Sequence, residues 1–128
     1  MLDTNICIGF LNGGDPSLRD RLLAGSPDSF RLCSVVKAEL LYGARNSAKV
    51  ADNLHKLERF FAPLESLPFD DAAAEAYGTI RAQLQREGTP IGGNDLMIAA
   101  VARAHDLTLV TRNQAEFRRV SGLRVEVW

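Results

Sequence analysis

Only two cysteines, Cys7 and Cys33, occur in the 128 residues. They form no C-x-x-C pair and have no obvious histidine partners, so neither a zinc site nor a disulfide framework is indicated. Buried free thiols in a reducing cytoplasm are the expectation. Charge of one sign is not in excess either, with 15 Lys and Arg against 16 Asp and Glu. No bulk basic field recruits nucleic acid, and any RNA or DNA must be met by local patches, bound cations or a partner's charge. The apolar runs fall far short of the roughly 20 residues that cross a bilayer. No basic start followed by an apolar stretch marks a secretory leader, so a cytoplasmic location without membrane contact is expected. Phosphate-binding GxxxxGK[ST] and GxGxxG loops and the Gly-x-Ser-x-Gly elbow are missing. No motif pairs His55 with His105, so metal-free ribonuclease chemistry lacks an obvious acid and base.

What is present is the profile of one soluble domain covering residues 1–128, with 46% hydrophobic and 24% charged residues. Loop signals at 12–17, 24–29 and 87–94 separate short apolar runs from helical periods. Leu2 closes a very short first strand. Residues 5–11 and 17–24 read as helices, the second with Ser17 as a plausible N-cap. Residues 30–35 are strand-like, and a helix with Gly43 inside it follows. Along 48–61, Val50, Leu54, Leu57 and Phe61 make one stripe. A strand at 63–67 precedes a long helix capped by Asp70 and ending near 87. Then come a buried helix at 94–105, a strand at 107–111, a short helix at 114–120 and a closing strand at 123–128. Alternation of this kind implies an α/β fold with a mainly parallel sheet. Sites in such sheets lie beyond the carboxyl ends of the strands. Asp3 follows the first strand directly, and Thr111, Arg112 and Asn113 follow a later one.

Three acids sit where acids are costly. Val36, Glu39, Leu40 and Gly43 recur at helical spacing, which puts Glu39 on an inward stripe. A carboxylate there needs a hydrogen-bond network, an arginine such as Arg45, or a cation. Asp95 heads the buried stripe of Ile98, Ala99 and Ala102. Its plain role is helix capping, and Asp3 or Thr4 has the same plain role for the first helix. Each explanation suffices singly. Together they require three coincidences at points that the topology can bring to one place. Thr111, Asn113 and Glu116 add oxygen donors after another strand. Carboxylates with neutral oxygens suit Mg²⁺ or Mn²⁺ rather than zinc.

"MLDTNICI", "SVVKAELLYGA", "IGGNDLMIAAVARAHDLTLVTRN" and "EFRRVSGLRVEVW" resemble, in order, the four blocks of the PIN-domain ribonucleases, specifically the VapC-type toxins. The likeness runs nearly end to end. It implies a PIN-like three-layer α/β fold, with a mainly parallel sheet of four to five strands flanked by helices. Asp3, Glu39 and Asp95 are implied as the catalytic, metal-binding acids. Asn113 or Glu116 would serve the variable fourth position, with Thr111 and Asn5 as supporting groups. The implied activity is Mg²⁺-dependent hydrolysis of a structured RNA, most often a tRNA. The implied partners are that RNA, a VapB-type antitoxin and a second copy of the chain, in a toxin–antitoxin hetero-oligomer. Two rival readings are a phosphohydrolase of the aspartyl-phosphate type and a non-catalytic PIN module. The first wants Asp-x-Asp after strand one, where Asn5 stands instead; the second typically lacks some of the acids, and all three are intact.

Overall fold

The computed structural model describes residues 1–128. Its elements are α1 (Thr4–Asn12), α2 (Pro16–Ala24), β1 (Arg31–Cys33), α3 (Ser34–Arg45), α4 (Val50–Phe61), β2 (Glu65–Leu67), α5 (Asp71–Glu87), α6 (Gly93–Ala104), β3 (Leu109–Thr111), α7 (Gln114–Phe117) and β4 (Val125–Val127). Each strand is only three residues long, shorter than the apolar runs that announce it. β1 pairs with β2 and β3 with β4, both in parallel. The two pairs meet across residues 1–3. Leu2 N donates to Arg31 O at 2.9 Å, Asp3 N to Val110 O at 3.0 Å and Val110 N to Met1 O at 2.8 Å. Four named strands plus this bridging segment thus make up the expected parallel α/β framework.

Helix α6 fills the middle of the molecule, with Ile98 through Val101 and Ala102 all fully buried. Its alanines let α5 approach closely, and α5 contributes Ala73, Ile80 and Leu84 to the same core. α3 packs on α4, while α1 touches α2, α3 and β3. Left-handed glycines, Gly13 (φ 66°) and Gly88 (φ 67°), stop α1 and α5 with the backbone turn that side chains disfavour. Cys7 and Cys33 are buried and unpaired, and burial pushes both thiols up from their ordinary pKa. No helix is long and apolar enough to cross a membrane.

Several local expectations are corrected. α2 begins at Pro16 and is capped by Asp15, whose side chain accepts from Leu18 N at 3.1 Å; Ser17 lies inside the first turn. Proline at the first helical position needs no hydrogen-bond partner for its nitrogen, so the cap falls one residue before it. Gly43 is exposed, and the inward stripe of α3 is Val36, Leu40 and Ala44, with Glu39 half-buried at its margin. Asp95 does not cap α6. That helix starts two residues earlier, at Gly93, with Gly92 before it and no side-chain cap.

Candidate active site

The bridging segment ends at Asp3, whose side chain is 3% exposed. Two donors hold it. Its Oδ1 accepts from Thr4 N at 2.7 Å, and its Oδ2 accepts from the Thr111 hydroxyl at 2.6 Å. The plain capping role is therefore real, yet it occupies only one of the two oxygens. Burial raises the Asp3 pKa and Glu39 adds to the rise, against the lowering effect of both hydrogen bonds.

Thr111 is fully buried at the end of β3. Its hydroxyl accepts from Asn113 N at 2.9 Å while donating to Asp3, so a backbone amide orients the proton that fixes the carboxylate. Glu39 reaches the same region from α3, where its Oε1 accepts from the Thr4 hydroxyl at 2.9 Å. Thr4 is the residue that sequence reasoning missed. Its hydroxyl is indistinguishable from an ordinary helix-start threonine until the fold brings α3 beside α1. Arg45 forms no ion pair with Glu39 and is exposed, so the network, not an arginine, satisfies that acid within the chain.

Asp95 stands in the first turn of α6, half-buried, with Asn113 Nδ2 donating to its Oδ2 at 3.4 Å. Its carboxyl also contacts that of Glu116. Two carboxylates held side by side repel, and a proton kept on one of them relieves the repulsion. Burial, the Glu116 contact and the charges of Asp3, Glu116 and Glu39 together push Asp95 up to about 7. Glu116 is held there by α7, a four-residue helix that could not persist alone. Phe117, fully buried, anchors it and contributes roughly 2–3 kcal/mol.

Asp3, Glu39, Asp95 and Glu116 thus come from four separate elements and sense one another's charge. They do not yet close on one point, because no three His, Cys, Asp or Glu side chains stand at common ligating distance. The donors are hard oxygens in a partly desolvated pool of like charge, the chemistry that a divalent cation relieves. Asp3 and Glu39 are pre-oriented by hydroxyls, so rotation of Asp95 and Glu116 is the adjustment that would close the set. Asn5 is exposed at the rim, where it edges the groove beside Thr4 and Glu39, and its side chain takes no part in the hydrogen-bond network.

Thr111→Val tests this support. The change keeps the shape but leaves the buried Asp3 oxygen without its donor, at a cost of roughly 1–3 kcal/mol. Loss of such a supporting contact should also weaken cation affinity about 10- to 100-fold. Chemical denaturation and Mg²⁺-dependent melting shifts are the measurements, and Thr111→Ser should restore both.

A PIN-domain family model matches residues 1–123. The tRNA(fMet)-specific endonuclease VapC of Shigella flexneri is 44% identical over 130 residues, covering 100% of this chain and 96% of that protein. Among solved structures, VapBC2 from Rickettsia felis bound to a promoter DNA fragment aligns with TM-score 0.93 and 39% identity, over 100% of this chain and 97% of the matched one. DNA-bound VapBC from Salmonella typhimurium gives 0.91 and 42%, over 100% and 96%. The chain belongs to the PIN-domain family, among its VapC ribonucleases.

Proposed function

We propose that this protein is the toxin of a VapBC-type pair, a Mg²⁺-dependent endoribonuclease that hydrolyses a phosphodiester bond in a tRNA-class RNA. The observation that carries the reading is Asp95, raised to about 7 by burial and by Glu116, Asp3 and Glu39. Carboxyl clusters with raised pKa values concentrate at functional sites, where a cation relieves them or a proton is moved. Asp3, Glu39 and Asp95 would hold Mg²⁺, or Mn²⁺ in its place, with Glu116 rather than Asn113 as the fourth acid. Bound there, the ion would supply positive charge at the phosphate and lower the pKa of an attacking water.

The chain's own groups do the rest. Thr111 and Thr4 hold the carboxyls of Asp3 and Glu39 in place, and Asn113 donates to Asp95. A carboxylate on this pool can take the proton of the attacking water. Water, rather than the ribose 2′-hydroxyl, is then the nucleophile, and the products carry a 5′-phosphate and a 3′-hydroxyl. The tRNA class is supported by the relatives whose names specify tRNA(fMet).

The antitoxin reading is supported by the matched structures, which contain VapBC complexes. It also has a place to act. A groove of about 280 Å³ between α1, α3 and α4 is lined by Ile8, Leu11, Leu40 and Leu57, with Glu39 and Lys56 also on its wall. A mixed apolar and basic segment of a VapB-type antitoxin fits that surface, its cation meeting Glu39. We place the complex in the cytoplasm, as a hetero-oligomer built on a toxin homodimer.

Purified protein incubated with total tRNA and Mg²⁺ is the test. Discrete cleavage, stopped by EDTA and yielding ends that a 5′-phosphate-dependent exonuclease degrades, is expected. Ends bearing a 2′,3′-cyclic phosphate would overturn the hydrolytic mechanism.

A further inference from the structure

Nine aromatic residues are distributed along the chain, and eight of them have an evident structural place. Phe117 is fully buried. Phe10, Phe30, Phe60, Phe61, Phe69, Tyr77 and Trp128 each pack on another ring at centroid distances of 5.6–6.0 Å. Tyr42 is the exception, with 70% of its surface exposed and no ring against it. It follows Glu39 by three residues on α3, so the two side chains share one face of the helix. Both border a groove of about 680 Å³, together with Asn5, Asn94 and Met97.

The groove is therefore two-sided in chemistry. One side carries Glu39, the member of the acid group that borders it. The other offers a free aromatic face and a thioether, with two carboxamides in the first turns of α1 and α6, both exposed. Neither amide enters the hydrogen-bond network that fixes the acids. A polyanion entering beside carboxylates gains little from charge in this near-neutral chain. Beyond what a bound cation supplies, groups indifferent to charge must add affinity, and ring stacking is the strongest of these. Carboxamides carry both donors and acceptors, which suits them to the polar edge of a base.

We propose that Tyr42 is a stacking platform for one unpaired nucleobase beside the cleaved phosphodiester, and that Asn5 and Asn94 read that base's edge. This rests on the ribonuclease reading and deepens it, since it names the part of the substrate that must be single-stranded. A fully paired helix hides every base face, so the cut must fall in a loop or an end of the folded RNA.

The test uses the full chain with Mg²⁺ and a tRNA whose cut site has been mapped with the wild-type protein. Tyr42→Ala should lower kcat/KM roughly 10- to 100-fold, the range of one base stack. Tyr42→Phe, which keeps the ring, should rescue the loss. Melting shifts on adding Mg²⁺ should be the same in all three proteins, because the ring does not meet the cation. An abasic residue beside the cut should slow the wild type to the rate of Tyr42→Ala and slow that variant no further. Equal cleavage of intact RNA by Tyr42→Ala and wild type overturns the subsite while leaving the nuclease reading intact. So does a change confined to oligomeric mass or antitoxin capture, which would make the ring a protein contact. A wild-type chain that cuts no RNA overturns the nuclease reading itself.

Discussion

Asp95→Asn is expected to reduce Mg²⁺-dependent cleavage by more than about 100-fold, because the loss of a mere supporting contact already costs 10- to 100-fold. The protein should nevertheless fold at least as well as the wild type. α6 is capped at Gly92 and not at Asp95, so no cap is lost. The introduced amide can donate to Glu116, where two carboxyls now meet, and Asn113 can still donate to the remaining oxygen. Mg²⁺ is where the two proteins should part. An ion that binds only the native state stabilises it by RT ln(1 + [L]/Kd), about 2.7 kcal/mol at one hundred times Kd. For a domain of this size that is a melting shift of roughly 10 °C. Wild-type protein should show it and Asp95→Asn should lose most of it. Parallel melting curves over a Mg²⁺ titration would remove Asp95 from the site.

The three candidate acids stood out in the sequence because each falls at a place where solvation is scarce and the topology is simple. Asp3 closes the first strand segment, Glu39 sits at the edge of an apolar stripe, and Asp95 stands in the first turn of the most buried helix in the chain. What held each acid was not legible. The Thr4–Glu39 bond spans 35 positions and Thr111–Asp3 spans 108, and neither contact leaves a periodic trace. The same limit applies to the fold. Helices announced themselves through spacing, whereas three-residue strands and a bridging segment at 1–3 acquire their partners only from the assembled sheet. Local competition decided the ends. Asp15 outranked Ser17 as a cap because Pro16 takes the first helical position, and Gly92 displaced Asp95 because the helix starts earlier than its apolar stripe.

In EDTA, the unfolding free energy is expected to fall as pH rises from about 5 towards 7.5. Asp95 keeps its proton in the folded chain up to about pH 7, while its ordinary pKa is 3.8. Between those values the native state binds more protons than the unfolded one, so stability must decline with pH. The contribution is fully present below 3.8 and is lost as pH passes through about 7. Water reaches the half-buried carboxyl, which reduces the loss to about 2 kcal/mol. Asp3, also raised, acts in the same direction. Asp15 is lowered, first by Leu18 N and then by Arg112, so its own contribution disappears only at acid pH, outside this window. Asp95→Asn carries no proton to lose and should show a much flatter curve. Near pH 4 the two proteins should be about equally stable, and by pH 8 the variant should be the more stable. Saturating Mg²⁺ should reverse the wild-type slope, since the ion binds the deprotonated acids and its affinity rises with pH. Urea unfolding at half-unit pH steps, with and without Mg²⁺, measures all of this. Superimposable wild-type and Asp95→Asn curves in EDTA would mean that the four acids do not share one field.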